Sequence, residues 1–298
     1  MKISLITETF PPEVNGAAKT LYKFASGLSS RGHELVVIRP RHHDDTPSPN
    51  WDQWLVAGWS LPRYPTLRLG LPAGSILTER WNENRPDVVH VATEGPLGWR
   101  AVETACRLGI PVSSSFHTNF HTYFNHYGFG LLSYAALRYL RSIHNRTRGT
   151  LVPTPLIQHK LQAAGFRNLG IMGHGVDTEL FDPKRRDSKL RRRWGANKET
   201  LVLLYVGQLA IEKNLELVVQ SFEAIRQKSK NEPKFILVGD EPERNRLARK
   251  HPEYHFVGMQ SGEALARHYA SSDLFLFPSG SQYAVPLDTR SPGCPGVV

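Results

Sequence analysis

The sequence predicts an α/β protein of two domains, each built on a parallel sheet with helices on both faces. Three observations carry that prediction. Short continuous apolar runs, such as LVLLYVG at 201–207 and KFILVGD at 234–240, read as strands buried on both sides. Between them lie stretches with the helical period, as in NLELVVQSFEAI, where Leu215, Val218, Val219, Phe222 and Ile225 share a face. The alternation breaks after residue 172 and restarts near 201, and 298 residues suffice for two cores.

In the first half, residues 3–7 read as a strand, and ETFPPEVNGAAKT as a loop in which Asn15 caps a helix running to 28. A second strand follows at 34–39. Residues 42–72, rich in Pro, Trp and Gly, show no clear period. Next come a helix at 76–84, the strand PDVVHVA, a helix at 98–108 and the strand IPVSSSF. An aromatic and histidine-rich loop, HTNFHTYFNHYG, leads to a helix at 131–146, the strand GTLVPT, a helix at 155–164 and a short strand at 169–172.

HGVDTELFDPKRRD interrupts the rhythm, and a basic run, KLRRRW, follows it. The domain boundary is set near Pro183, giving domains 1–182 and 183–298. The second half then reads strand 201–207, helix 215–227 and strand 234–240. EPERNRLARKH reads as a helix with an acidic first turn, as the helix dipole favours. The strand YHFVG, the helix SGEALARHYASSD and the strand LFLFPS complete it.

Composition narrows the function. Cys106 and Cys294 form neither a disulfide framework nor a CxxC, which fits a reducing compartment and argues against structural zinc. The first apolar run is too short for a signal peptide, and none is long enough to span a membrane. A balance of 37 basic to 27 acidic residues leaves +10, suited to nucleic acid, an anionic membrane or a phosphorylated ligand.

One stretch points to the last of these. YVGQLAIEKN joins a buried strand to a helix start. Gly207 allows close backbone approach, and Lys213 stands where a helix N-terminus would favour an anion. A solvated lysine at a helix start is the equal alternative.

Seven segments in order, PPEVNG, SSFHTNF, HGVDTELF, YVGQLAIEKN, LVGDEPER, FVGMQ and SSDLFLFPS, resemble retaining glycosyltransferase family 4 over nearly the whole chain to Ser279. In flavour they are similar to GDP-mannose-dependent α-mannosyltransferases with lipid acceptors, and to sulfoquinovosyltransferases. The resemblance implies two facing Rossmann-like domains of the glycosyltransferase B-type fold with the active site in the cleft. The acceptor would bind the first domain and the nucleotide sugar mainly the second. Residue by residue, it assigns Gly16 an amide near the donor phosphates, His117 contact with the transferred sugar, and Lys213 neutralisation of the leaving diphosphate. Gly207 and Gln208 join the donor site. Met259 falls near the nucleobase, with a core methionine as the preferred bland alternative. Glu212 receives no catalytic role. For Gly16 and His117 the alternatives are a turn glycine and a surface histidine beside His121 and His126.

The chain has no DxD, so no metal and no cofactor are expected. The resemblance implies retention of configuration by front-face displacement, the leaving phosphate taking the acceptor proton. No pair of catalytic carboxylates would then be needed. Two departures stand out. Gln208 replaces the family's usual arginine, leaving one diphosphate cation instead of two. After LFLFPS the family's Glu-x₇-Glu segment is missing, and the tail GSQYAVPLDTRSPGCPGVV contains no glutamate. Residues 290–294, RSPGC, are what a family-like Ala-Leu-Ala-Gly-Leu-Pro becomes if it is encoded GCG-CTC-GCC-GGG-TTG-CCC and read one base late. The expectation is therefore a frameshifted or truncated second domain, ending on an uncovered strand at 274–277, with impaired activity. A divergent natural ending is the alternative, and the nucleotide sequence decides between them.

Read as a helix through LLSYAALRYLRSIHNRTR, residues 131–148, the segment is expected to carry Arg138, Arg141 and Arg148 on one face, suited to peripheral contact with anionic lipid; a solvated face is the commoner explanation. The functional expectation is a cytoplasmic glycosyltransferase, peripheral at the inner membrane face. It would move a hexose, mannose first, from a nucleotide sugar to a lipid-linked or glycan acceptor. The alternatives are a remnant that only binds sugar nucleotide or membrane and, ranked last for want of any motif, a nucleic-acid binder.

Overall fold

The computed structural model describes all residues except 14, 44, 46, 62–63, 117–129, 174, 211–212, 241–242, 278–295 and 298. It divides into two units, Met1–His174 and Gly175–Val298.

The first unit runs β1 (Lys2–Ile6), α1 (Gly16–Ser30), β2 (Glu34–Pro40), β3 (Asp52–Val56), β4 (Gly58–Leu61), β5 (Tyr64–Gly70), α2 (Gly74–Glu83) and β6 (Val88–Val91). It continues through α3 (Pro96–Arg107), β7 (Val112–Ser115), α4 (Gly130–His144), β8 (Gly149–Val152), α5 (Pro155–Ala163) and β9 (Leu169–Ile171). Seven strands form a parallel sheet in the order β3-β2-β1-β6-β7-β8-β9. Alternate residues of β1 serve opposite faces. Ile3 and Leu5 pack with Leu21 and Ala25 of α1, whereas Ile6 packs with Leu77 and Trp81 of α2 and Leu97 and Ala101 of α3. Burying a side chain of this size is worth about 1.5–3 kcal/mol, which holds both helix layers on the sheet.

Residues 42–72, without a readable period in the sequence, supply β3 and an antiparallel pair, β4–β5. Strand β3 has one neighbour, β2, and its residues are mostly half-buried, so neither a continuous apolar run nor a clean alternation marks it. Helix α4 ends at His144, so the expectation that Arg148 shares its face is corrected. Arg148 donates its backbone N–H to Val112 O at 2.8 Å on the approach to β8.

The second unit opens on a 3₁₀ turn, Pro183–Arg185, and α6 (Ser188–Arg193). Then come β10 (Val202–Val206), α7 (Leu215–Lys228), β11 (Lys234–Val238), α8 (Arg244–Lys250), β12 (His255–Gly258), α9 (Gly262–Ser271), β13 (Leu274–Phe275) and β14 (Gly296–Val297). Its parallel sheet has the order β12-β11-β10-β13-β14. Leu203 and Tyr205 face the layer containing Phe222, while Val202 and Leu204 face the layer containing Trp194.

Polar anchors tie residues 181–191 to the second unit. Arg186 donates to the carbonyls of Ala270 and Ser272 and to Asp273, and Asp187 N–H donates to Ser271 Oγ at 2.9 Å. The buried Arg191 guanidinium reaches Asp273 and the carbonyls of Ser271, Asn197 and Thr200. Burial alone would raise the Asp273 carboxyl, but these arginines and the Val202 N–H hold it below its ordinary value.

Two expectations are corrected in this unit. Helix α8 begins at Arg244 with Glu243 as its cap, so the acidic residues stand before the first turn. The Glu243 N–H is committed to Leu209 O at 2.8 Å, which holds this loop against the one after β10. Strand β13 also does not end the sheet, because Gly296–Val297 pairs with it in parallel. Among the described residues no helix is long and apolar enough to cross a membrane.

Candidate active site

Each of the two parallel sheets has one place where its strand order reverses. In the first unit it lies between β1 and β6; in the second it lies between β10 and β13. Open α/β sheets hold ligands outside the carboxyl ends of the strands at such a switch point, because the two connecting loops diverge there. Gly16 opens α1 directly after the β1–α1 loop, and Gly207, Gln208 and Lys213 lie in the β10–α7 loop. Both groups therefore stand at their unit's switch point.

In the first unit the Asn15 side chain caps α1, accepting from Ala18 N–H at 2.7 Å as the sequence predicts. Gly16 is exposed, and a methyl group there would meet nothing within 4 Å. Its amide opens a 15-residue helix whose dipole favours negative charge. His117, two residues past β7, lies outside the described residues.

Glu8 and the β6–α3 loop were not singled out in the sequence. Glu8 is buried beside the end of β6, its N–H donating to Thr93 Oγ1 at 2.8 Å. Its carboxylate accepts from Leu97 N–H at 2.8 Å, at the start of α3. Two glycines make room. A Cβ on Gly95 would lie 1.5 Å from Glu8 Oε2, and one on Gly98 would lie 2.0 Å from Thr93 O. The available signal was positional: an acid immediately past a buried strand and a Gly-Pro-x-Gly run immediately past another. Burial pushes the Glu8 carboxyl up from 4.5 to about 7; the N–H groups of Leu97 and Gly98 oppose the rise, and Glu94 adds to it.

The native state thus keeps a proton that the unfolded chain has released, so this carboxyl costs stability as pH rises from 4.5 to about 7. The urea transition of the first unit should lose roughly 3 kcal/mol across that window. Glu8→Gln should remove most of the slope. Equal slopes in the two proteins would mean that Glu8 titrates normally.

In the second unit, three strand ends approach closely. Gly207 N–H donates to Val238 O at 3.0 Å, and Gly239 N–H to Gly258 O at 3.0 Å. The Tyr205 hydroxyl folds back to donate to Gln208 O at 3.1 Å, passing where a Cβ on Gly207 would sit. The loop is held again by Leu209 N–H to Asp240 O at 3.1 Å and by Lys213 N–H to Ala210 O at 3.0 Å. The side chains of Gln208 and Lys213 are exposed. Asn214, at φ +50°, precedes α7 beside Lys213; its side chain makes no cap, and its carbonyl accepts from Leu217 N–H at 3.1 Å.

Met259 is 63% exposed, which corrects the reading of it as a core residue. Gly258 at φ +72° ends β12 and turns the chain outward. Among the described residues one group has the composition of a metal site, Glu223, His251 and Glu253. Arg226 lies 3.1 Å from Glu223 and 3.9 Å from Glu253, so both carboxylates already face a cation.

Residues 14–180 match Glycosyltransferase Family 4, and residues 186–286 match Glycosyl transferases group 1. The chain belongs to glycosyltransferase family 4. This glycosyltransferase is 32% identical to the GDP-mannose-dependent alpha-mannosyltransferase of Mycolicibacterium smegmatis, over 93% of its own length and 73% of the relative's. It is 28% identical to the Sulfoquinovosyl transferase SQD2 of Arabidopsis thaliana, over 99% of its own length and 59% of the relative's. Its structure is similar to the sucrose-phosphate synthase of Thermosynechococcus elongatus, with a TM-score of 0.70 at 15% identity, covering 93% of this chain and 75% of the other. That likeness establishes the fold, that of the B-type glycosyltransferases. The enzyme takes its sugar from a nucleotide-sugar donor.

Proposed function

We propose that the enzyme transfers mannose from GDP-mannose to a lipid-linked or glycan acceptor. The observation that best supports a donor site is the β10–α7 loop: an exposed lysine, the N-terminus of α7 without a side-chain cap from Asn214, and a glycine at one switch point. Lys213 would oppose the charge that builds on the leaving diphosphate as the glycosidic bond breaks. Gln208 would donate hydrogen bonds without charge. Gly16 would offer an amide to the same phosphates, His117 would contact the transferred sugar, and the exposed Met259 would face the nucleobase. In this reading configuration is retained, the leaving phosphate accepts the proton of the acceptor hydroxyl, and no metal takes part. A lipid acceptor goes with peripheral contact at an anionic membrane.

Mannose is favoured by the mycolicibacterial relative, and sulfoquinovose is the competing sugar class. Thermal unfolding with GDP-, UDP- and ADP-sugars separates them. GDP-mannose near 100 times its Kd should raise Tm by about 4 °C, and the UDP-sugars much less. A larger rise with a UDP-sugar would overturn the donor assignment. Labelled-mannose transfer to a lipid extract then tests the acceptor.

A further inference from the structure

The loop before Gly16 contains a buried acid that donor binding, as described above, leaves unused. Glu13 is only 7% exposed, and its Oε2 belongs to a set of hydrogen bonds. Its Oε2 accepts from Thr9 Oγ1 at 2.6 Å and from Asn15 Nδ2 at 3.0 Å. Asn15 Nδ2 donates a second time, to Thr9 Oγ1 at 2.9 Å, and Asn15 Oδ1 accepts from Ala18 N–H at 2.7 Å. Thr9 is fixed in turn by Thr7, whose hydroxyl accepts from Thr9 N–H at 3.1 Å and donates to Thr9 O at 2.7 Å. The other Glu13 oxygen lies 3.3 Å from His42 Nε2, and the Arg39–Asp45 pair stands beside this contact.

These bonds leave the Asn15 amide one orientation. A carboxylate only accepts, so it demands the NH₂ of Asn15 and leaves the oxygen for Ala18. If the amide flipped, its oxygen would face the Glu13 carboxylate and its NH₂ would face the Ala18 N–H. Glu13 therefore dictates the cap of α1, and the cap sets how Gly16 enters the helix. Burial raises the Glu13 carboxyl, and the bonds from Thr9 and Asn15 oppose that rise.

We propose that Glu13 is a positioning residue for the donor diphosphate, acting through Asn15 on the Gly16 amide. The proposal rests on the assignment of Gly16 to the donor phosphates. It distinguishes Glu13 from a residue that merely stabilises the fold, because only the phosphate part of the donor should respond to it.

Calorimetric titration of the whole chain with GDP and with guanosine tests this. Glu13→Ala should weaken GDP about tenfold and leave guanosine unchanged. Glu13→Gln should restore GDP binding to within about twofold, since its carbonyl can take both donors and its NH₂ can face His42. If the alanine variant does not fold, Thr9→Val, which removes the hydroxyl shared by Glu13 and Asn15, should weaken GDP in the same selective way. Unchanged GDP affinity in Glu13→Ala, parallel loss of guanosine, or failure of the glutamine to rescue would each overturn the proposal. Gly16→Val separates the premise from the inference. If it leaves GDP binding intact, the Gly16 assignment fails and takes the inference with it. If it weakens GDP while Glu13→Ala does not, the inference alone fails.

Discussion

Gly239→Ala is expected to unfold the second unit or to cost it at least about 4 kcal/mol. Gly239 has φ +147°, which L side chains rarely adopt, and its missing Cβ would lie 1.9 Å from Gly207 O. The obstacle is backbone, so no rotamer change relieves it. Gly207 cannot retreat freely, since its own N–H is held by Val238 O at 3.0 Å. Gly207→Ala makes a useful contrast. There the nearest atom is the Tyr205 hydroxyl, 2.9 Å from the added Cβ, the far end of a side chain. That variant should lose only about 1 kcal/mol, including the Tyr205–Gln208 hydrogen bond. Urea unfolding of the two variants measures the difference. A Gly239→Ala protein within 1 kcal/mol of the wild type would show that the β10–α7 loop can swing aside, and that the strand ends are less tightly packed than these distances require.

That contrast also shows what the sequence made legible. The buried strands were readable because both faces of the sheet are covered where they lie, as at β10, so nearly every residue is apolar. The Asn15 cap was readable because the capping residue and its helix are adjacent in the chain. The three-glycine approach at Gly207, Gly239 and Gly258 was not, since it depends on which strands become neighbours. Glu8 was missed for the same reason: its partners, Thr93 and Leu97, lie 85 and 89 residues away. The basic residues around α4 misled in another way. A helical projection places Arg148 with Arg138 and Arg141, but the helix ends at His144, and Arg141 donates to Ala164 O at 3.2 Å. Chain-local patterns thus gave most elements outside residues 42–72 and the loop that carries Lys213. The supporting contacts are long-range, and a single sequence carries little trace of them.

The largest functional effect is expected at Lys213. Lys213→Ala should weaken GDP binding by about 10- to 100-fold, the worth of one charge-assisted contact, and should leave guanosine unaffected. Turnover should fall further than donor affinity, because negative charge on the diphosphate is greatest as the sugar departs. The substitution should not disturb the fold, since the side chain is exposed and, among the described residues, the tie is made by the backbone N–H, to Ala210 O. Lys213→Arg should recover part of the loss. His117→Ala should behave differently, lowering turnover while GDP binding stays normal, because its assigned contact is with the sugar. Gln208→Arg supplies the opposite sign. Gln208 is exposed, so an arginine can be added without repacking, and a second cation beside the diphosphate should tighten GDP several-fold. The gain should shrink as salt rises, as expected for an exposed charge. If Lys213→Ala binds GDP as the wild type does and Gln208→Arg gains nothing, the β10–α7 loop is not the diphosphate site. Lys213 is then a solvated lysine at a helix start.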